Sequence, residues 1–533
     1  MMGASHPHEL VQRSIELGYS SLGISDFDGV YGIARAYRDL QALKKDDHQA
    51  SLRLMYGAEL HLEKDHDLPL LLQKTLILYA LNHQGYFNLC RLITHCHRDG
   101  KAYGNLPLEH LLSSPVDGLM VIQPMRGVIR FSQYQDQNAL RKYFKPLVDH
   151  FSGRFYFAVS RLLHQAEDRW IPNVLELSRF FKTPYLPTQD AFFARRQDKV
   201  ISDLLHAIRH NLTLDEVSDQ LFVNSHRSLH SLSALNRLYS DIPGIKSALK
   251  HSNHLTTAFS FDLDQLSYHY PREMLPEGYT PQTYLEEQVW VFAKDRFGDQ
   301  IPEGLIKLIR HELKLVAQLK FADYFLTVWD IVTWARKQDI LCQGRGSAAN
   351  SAICYVLNIT SINPDHFDLL FERFISVERG DPPDIDVDFE NARREEVIQY
   401  IYQRYGRKRA AMVCNVITFK PRGAIRFVGK ALGIPEKIID HTAKSIKGLS
   451  FRANSIHESI AFIQENHSSH LDPDNSMGHQ WDLWAQLAEK VLLFPRFLGV
   501  HSGGFMLAEK DIDWLIPQEP ATMPGRTVIQ WSK

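Results

Sequence analysis

The stretch Pro383-Asp384-Ile385-Asp386-Val387-Asp388-Phe389 lies in the second half of the chain and carries an aspartate at every second residue. Because side chains of a strand alternate between its two faces, this spacing predicts a strand with Asp384, Asp386 and Asp388 on one face. One interpretation is an acidic edge strand that faces water. The apolar residues between the aspartates favour the other, a site for a divalent cation such as Mg²⁺, which prefers oxygen ligands.

A loop of small residues lies upstream and reads Cys342-Gln343-Gly344-Arg345-Gly346-Ser347-Ala348-Ala349-Asn350-Ser351. Small residues let a backbone approach a ligand closely, and the N–H groups at the start of a helix bind phosphate. A helix is predicted over residues 352–357, so the loop is a candidate phosphate cradle, with a plain helix-capping loop as the alternative. No Gly-Lys-Ser or Gly-Lys-Thr follows, so it is not a P-loop.

Two arginines, Arg373 and Arg379, stand between this loop and the acidic strand. Guanidinium groups keep their charge and suit phosphate oxygens, although either arginine alone is explained as well by a surface ion pair. Taken together, a phosphate-cradling loop, two arginines and a carboxylate pair for metal are the components that nucleotidyl transfer requires.

At these residues the chain resembles the alpha subunit of bacterial DNA polymerase III, the C-family polymerases. The motifs Gly-Arg-Gly-Ser, Leu-Leu-Phe-Glu-Arg-Phe and Pro-Asp-Ile-Asp-Val-Asp-Phe occur in the family's order, and the similarity extends over nearly the whole chain. The sequences of residues 342–351 and 393–402 are most similar to those of the error-prone, damage-inducible paralogue. The resemblance implies an error-prone, translesion DNA-directed DNA polymerase of DNA repair and replication.

The implied fold is a multidomain α/β protein with an N-terminal PHP-type (polymerase and histidinol phosphatase) distorted (β/α) barrel. A polymerase-beta-like nucleotidyltransferase palm with an inserted α-helical thumb follows it. The expected ranges are 1–240 for the PHP domain without its first strand, 241–415 for the first part of the palm with the catalytic strand, 416–493 for the thumb and 494–533 for a truncated second part of the palm.

We expect, on this resemblance, an incomplete polymerase shortened at both ends. The third catalytic aspartate, the fingers and the C-terminal modules of the family have no counterpart in these residues. Impaired activity is therefore expected. Contacts with the sliding clamp and the accessory mutasome proteins are expected only through regions that are absent here.

The resemblance also implies roles for single residues. Asp384 and Asp386 would be catalytic and hold two Mg²⁺ ions, with Asp388 as a further candidate ligand. The substrates would be deoxynucleoside triphosphates and the 3′-hydroxyl of a primer on template DNA. The residues expected at the incoming nucleotide are Arg345, Gly346, Ser347, Arg373 and Arg379.

A basic run follows the acidic strand, with eight lysines and arginines and no acid between Arg404 and Lys430. A solvated basic face explains such a run by itself, whereas its position favours contacts with the phosphates of primer–template DNA. The resemblance sets the candidates at the start of the thumb, which are Lys420, Arg422, Arg426 and Lys430. His501, in a stretch similar to the family's His-x-Gly-Gly palm element, is either a further DNA contact or a core histidine.

The first half of the chain alternates predicted strands and helices, which indicates a barrel-like or open α/β domain. The predicted elements are helices 9–17, 32–43 and 85–96 and strands 21–25, 53–61 and 74–81. Acids at strand ends are the candidate site residues of this domain: Asp26, Glu59 and Asp190.

The PHP metal constellation looks degraded in this chain. Thr75 stands where metal-binding members have His, Phe192 follows Asp190 where they have another His, and Phe27 follows Asp26 in place of the common Asp-His pair. We therefore expect a vestigial, structural domain without a functional metal site. The alternative is a metal-dependent phosphoesterase or 3′–5′ exonuclease that acts through this domain.

Composition agrees with an intracellular protein of several domains. The chain has 533 residues, a net charge of −2 and five scattered cysteines without a Cys-x-x-Cys pair, which favours neither disulfides nor zinc. No apolar run is long enough for a membrane span and no leader is evident, so we expect a cytoplasmic protein without a membrane partner. A non-catalytic DNA-binding protein remains the third hypothesis.

Overall fold

A computed structural model describes residues 3–46, 51–63, 73–98, 100, 104–126, 137–268, 270–271, 275–364, 385–449, 455–471 and 477–532. Asp384, Arg373 and Arg379 lie outside these residues. The strands are β1 Ser21–Phe27, β2 Arg53–His61, β3 Thr75–Ala80, β4 Leu119–Gln123, β5 Phe155–Val159, β6 Tyr185–Pro187, β7 Cys342–Arg345, β8 Asp386–Phe389, β9 Ala410–Thr418, β10 Pro495–Leu507, β11 Gln518–Pro520 and β12 Thr527–Ser532.

The helices of the described residues are α1 Pro7–Glu16, α2 Ile33–Asp46, α3 His83–Cys96, α4 Leu108–Ser113, α5 Gln137–His150, α6 Glu167–Phe181, α7 Lys199–His210, α8 Leu232–Leu238, α9 Ile245–Leu255, α10 Pro281–Phe297, α11 Glu303–Leu319, α12 Ala322–Lys337, α13 Ala352–Val356, α14 Arg394–Tyr405, α15 Pro421–Ala431, α16 Glu436–Leu449, α17 Ile456–Leu471 and α18 Gln480–Val491. None of these helices combines the length and the apolar character that crossing a membrane requires.

The chain divides into two units. The first contains residues 1–266, 412–504 and 513–533, and the second contains residues 267–411 and 505–512. In the first unit, β1 to β6 form one sheet in sequence order. The pairs β1–β2, β4–β5 and β5–β6 are parallel, because a helix returns the chain between their strands, whereas β3 runs antiparallel to both of its neighbours.

The register of β1 and β2 decides where two of the candidate acids lie. Asp26 is opposite Ala58 and Phe27 is opposite Glu59, so Asp26 and Glu59 both lie near the carboxyl ends of these two parallel strands. Asp190 follows β6 by a few residues. The sheet therefore gathers Asp26, Glu59 and Asp190 around one cavity of about 1550 Å³.

A second core of the first unit joins the helices after β9 to the N-terminal part of the chain. Apolar residues of α15 and α18 pack in one cluster with Phe193 and with residues of α7. Trp484 is fully buried there and donates its indole N–H to the carbonyl of Ile425 at 3.1 Å. The sheet β10-β9-β12-β11 belongs mainly to this unit.

The second unit is mostly helical. Helices α10, α11 and α12 surround the short, buried helix α13, and β7 pairs antiparallel with β8 beside them. Ile385 and Val387 pack against this core, as the alternation in the acidic stretch predicts. The core thus fixes which face of β8 carries the aspartates.

Candidate active site

The pairing of β7 with β8 brings the predicted phosphate loop to the acidic strand. Arg345 is opposite Asp386 and Gln343 is opposite Asp388, so the first residue of the loop, Gly346, follows directly on the partner of Asp386. A Cβ on Gly346 would lie 3.9 Å from Asp386 Oδ2. Gly346 has a φ of +62°, which glycine adopts without strain, so the sharp turn beside the carboxylate depends on this glycine.

The two described aspartates of β8 differ in their partners. Arg345 forms an ion pair with Asp388, with 3.0 Å between Nε and Oδ1, and both side chains are about two-thirds exposed. Within the described ranges, no side chain or backbone group pairs with the carboxylate of Asp386. The carboxylate oxygens of Asp386 are therefore open to a cation, whereas the positive charge of Arg345 competes with a cation at Asp388.

The start of helix α13 is occupied by a side chain that the sequence did not indicate. Glu312, fully buried on α11, accepts from the N–H groups of Ala352 and Ile353 at 2.6 and 2.9 Å and from Ser351 Oγ at 2.8 Å. The expectation that these N–H groups cradle phosphate is wrong, because an internal carboxylate already satisfies them. Any phosphate contact of this segment is left to the turn over Gly346–Asn350.

The predicted DNA-binding residues lie in the first unit, on helix α15 and just before it. Lys420, Arg422 and Lys430 are exposed, and the opposite face of the helix is buried. Arg422 also donates from Nε to the carbonyl of Ala443 at 3.1 Å. Arg426 forms an ion pair with Asp440, so its charge is partly neutralised.

His501 lies in strand β10 and is hydrogen-bonded to nearby backbone groups of the same strand. Its Nδ1 accepts from the backbone N–H of Gly504 at 2.7 Å and of Gly503 at 3.2 Å. Since Nδ1 accepts, the neutral ring carries its proton on Nε2. The ring is half-buried, and its two described hydrogen bonds come from backbone groups of β10.

The three N-terminal acids have separate environments. Asp26 accepts from the N–H of Gly32 at 2.6 Å, and burial raises its pKa. Glu59 and Asp190 are instead bridged by one guanidinium, that of Arg126, which contacts Glu59 Oε2 and Asp190 Oδ1. Arg227 forms a second ion pair with Asp190.

These ion pairs determine the charge state of the cluster. Burial alone would raise the pKa of Asp190, but Arg126 and Arg227 lower it to about 2. The same carboxylates keep the pKa of Arg126 above its ordinary value despite burial. Glu59 also accepts from the hydroxyl of Thr75, so Glu59 and Asp190 already have donors where a metal ion would need open oxygens.

The substituted positions form the walls of this arginine site. The Arg126 guanidinium carbon lies 5.8 Å from the ring centroids of both Phe27 and Phe192. Arg227 lies 5.3 Å from the ring of Phe192. The apolar residues that depart from the metal-binding pattern thus pack on guanidinium groups, which aromatic faces attract.

A further buried polar cluster adjoins the N-terminal acids and was also missed by the sequence. Asp28 accepts from His61 Nδ1 at 2.8 Å, and Tyr31 donates to Glu519 at 2.9 Å. Gln530 accepts from the N–H of Val30 at 3.0 Å. In the part of the chain that the structure describes, no three His, Cys, Asp or Glu side chains are grouped as metal ligands.

Two family models match the chain. The bacterial DNA polymerase III alpha NTPase domain matches residues 283–533, and the PHP domain matches residues 1–161. The first range contains β7, β8 and the loop between Arg345 and Ser351. The second contains Asp26, Glu59 and Arg126.

Curated proteins named error-prone DNA polymerase align with the whole chain. The chain is 38% identical over 537 residues to that of Bradyrhizobium sp. (strain ORS 278), 38% over 541 residues to that of Rhodopirellula baltica and 36% over 536 residues to that of Hahella chejuensis. It spans 43%, 44% and 48% of the length of these relatives. The similarity therefore concerns a little under half of each relative.

Proposed function

Since this chain belongs to the family of bacterial DNA polymerase III alpha subunits, we propose that it serves template-directed DNA synthesis of the error-prone type. The reaction is attack of a primer 3′-hydroxyl on a deoxynucleoside triphosphate, with release of pyrophosphate. The similarity of the whole chain to part of each error-prone DNA polymerase supports this assignment of substrate class. The proposed place of action is the cytoplasm, where bacterial DNA is copied.

The observation that carries the proposal is the pairing of Arg345 with Asp386 across β7 and β8. It puts an uncompensated carboxylate next to a sharp glycine turn and a guanidinium. A triphosphate that carries a divalent cation needs these three elements: an oxygen ligand for the cation, a closely approachable backbone and a positive charge for the phosphate oxygens.

The free oxygens of Asp386 fit a divalent cation, and we propose that Asp384 and Asp386 hold two Mg²⁺ ions. When bound, such ions activate the attacking hydroxyl and neutralise the leaving pyrophosphate. The chain's own part is alignment and charge neutralisation. Gly346 and Ser347 would offer backbone N–H groups to the triphosphate, and Arg345 would either pair with Asp388 or turn to a phosphate oxygen.

We propose further positive charges as contacts of the nucleotide and of the DNA. Arg373 and Arg379 remain proposed contacts of the incoming nucleotide. The exposed Lys420, Arg422 and Lys430 would bind DNA phosphates, with a smaller share for Arg426 because Asp440 competes for it. His501 stays a proposed DNA contact, with Nδ1 held by the backbone N–H groups of Gly503 and Gly504.

The experiment is single-nucleotide primer extension with Mg²⁺ or Mn²⁺, comparing the chain with an Asp384→Ala/Asp386→Ala double variant. Incorporation that disappears in the double variant supports the proposed active site. Asp149→Ala, which removes an exposed acid of the first unit, is the control and should extend the primer as the unchanged chain does. Incorporation that persists in the double variant would refute the assignment of Asp384 and Asp386.

Binding must be measured beside extension. A chain that extends nothing but binds primer–template in a salt-sensitive way would be a DNA-binding remnant, and catalysis would be excluded. A phosphoesterase in the N-terminal domain is disfavoured because Arg126 and Arg227 neutralise Glu59 and Asp190. Hydrolysis of phosphoesters that is lost in Glu59→Gln and kept in the double variant would reverse that preference.

A further inference from the structure

A guanidinium at the start of β10 is held against two aromatic rings. The Arg496 guanidinium carbon lies 4.3 Å from the ring centroid of Phe427, on α15, and 5.5 Å from that of Phe497. Arg496 is exposed, and the Phe497 side chain is 50% exposed. A large apolar ring is thus exposed to water beside a positive charge.

A second arginine–phenylalanine pair in the first unit differs from this one in whether the arginine has a carboxylate partner. Arg141 lies 4.3 Å from the ring of Phe180, which is also 50% exposed. Arg141, however, has a carboxylate partner in Glu176. In the described parts of the chain no acid pairs with Arg496, so its in-plane N–H groups stay available to an external anion.

The helix beneath Arg496 continues this open, positive surface. On a helix, residues three, four and seven positions away lie on the same side, so Lys420, Gly423 and Lys430 flank Phe427. A Cβ added to Gly423 would meet no atom within 4 Å. An elongated anion can therefore approach the backbone of α15 between two lysines and reach Arg496.

We infer that Arg496, Phe427 and Phe497 form a nucleic-acid contact at which a phosphate binds Arg496 and an unpaired template base stacks on Phe497. The inference rests on the proposed DNA-binding function and adds residues to it. Stacking on Phe427 orients the guanidinium while its N–H groups point outward to phosphate oxygens. Phe497 offers a π-face, which binds bases of any sequence, so the contact suits a single-stranded template segment.

The test is fluorescence anisotropy of the full chain with a labelled primer–template that carries a 5′ overhang, over a series of salt concentrations. Arg496→Ala should weaken binding about ten-fold at moderate salt and reduce the salt slope by about one phosphate contact. Phe497→Ala should weaken binding of the overhang substrate about ten-fold, leave the salt slope unchanged and hardly affect blunt duplex.

Matched variants separate stacking from folding. Phe497→Leu keeps apolar bulk without a ring and should bind as weakly as Phe497→Ala, while Arg141→Ala and Phe180→Ala should bind like the unchanged chain. Thermal melting should give all of these variants midpoints close to one another. If Arg496→Ala and Phe497→Leu bind like the two controls, the contact does not exist.

The design also separates this inference from the function on which it rests. An unchanged chain without salt-sensitive DNA binding would overturn both. If the unchanged chain binds DNA, and binding is weaker in Lys420→Ala/Arg422→Ala but not in Arg496→Ala or Phe497→Leu, the inference is overturned and the proposed function stands. Equal losses on overhang and blunt substrates in Phe497→Leu would overturn the template-base assignment.

Discussion

At the scale of single residues, the N-terminal site is best understood as two acids neutralised by arginines. Glu59 and Asp190 are 131 positions apart in sequence and share the guanidinium of Arg126. Burial penalises the charge of a carboxylate, so a buried carboxylate needs a metal ion, a proton or a cationic side chain. The guanidinium supplies the cation, so folding of this site does not require a metal.

Replacement of Arg126 should therefore be costly. We expect Arg126→Gln to lower the free energy of unfolding by about 3 to 5 kcal/mol, since two buried carboxylates lose their shared cation. Chemical denaturation measures the loss. The control is Lys145→Gln, which breaks an exposed ion pair with Asp149 and should cost under about 1 kcal/mol. Equal losses in the two variants would contradict the buried-cation account.

Acid sensitivity should reveal Asp190. The pKa of Asp190 in the folded chain is about 2, below its ordinary value of 3.8. The ionised carboxylate therefore contributes its full stabilisation above pH 3.8, and this contribution is lost as the pH falls through about 2. We expect the unfolding free energy of the unchanged chain to fall more steeply between pH 4 and pH 2 than that of Asp190→Asn, by about 2 kcal/mol in total. Denaturant titrations at several pH values measure the slopes, with Asp149→Asn as the exposed control.

At the scale of elements, the short helix α13 depends on a distant helix for its start. Glu312 of α11 accepts three hydrogen bonds from Ser351, Ala352 and Ile353 and is fully buried. An N-terminal carboxylate also complements the helix dipole. The loop between β7 and α13 is thus anchored at its far end by a side chain rather than by a ligand.

Loss of this anchor should destabilise the second unit. We expect Glu312→Ala to cost about 2 to 3 kcal/mol, because buried donors lose their acceptor, and Glu312→Gln to cost less because one acceptor oxygen remains. Hydrogen–deuterium exchange at the amides of Ala352 and Ile353 measures the effect directly. Glu303→Gln, at the exposed start of the same helix α11, should leave this exchange unchanged. Unchanged exchange in Glu312→Ala would show that the loop is anchored otherwise.

At the scale of the whole molecule, the two units divide the predicted functions. The acidic strand and its loop belong to the second unit, whereas the basic helix α15 shares a core with α7 and α18 in the first. The expected domain boundary between residues 240 and 241 and the expected thumb over 416–493 stay predictions. What the core does indicate is that α15 and α7 should lose their protection together.

A core substitution in each unit tests this coupling. Trp484→Ala, in the core of the first unit, should cost about 3 to 5 kcal/mol and speed amide exchange in both α7 and α15. Phe325→Ala, fully buried in the second unit, should instead speed exchange in α11. If Trp484→Ala leaves α7 protected while α15 loses protection, the two helices do not form one cooperative unit.

Local elements were largely predictable. The strand over residues 53–61 has the predicted bounds, and the helix predicted over 85–96 is observed as His83–Cys96. The antiparallel direction of β3 was not predictable, because periodicity indicates a strand but not the direction of the strands that pair with it.

The sequence by itself determined the acidic strand, its apolar backing face, the basic run and the resemblance to the polymerase family, because periodicity, charge runs and motif order are properties of neighbouring residues. Only the tertiary structure decided which cation meets which acid: Arg126 between Glu59 and Asp190, and Arg345 beside Asp388. It likewise decided that Glu312, rather than a phosphate, caps α13. These contacts join residues far apart in sequence. Which charged groups meet depends on what the folded chain brings within reach, and no local pattern encodes that.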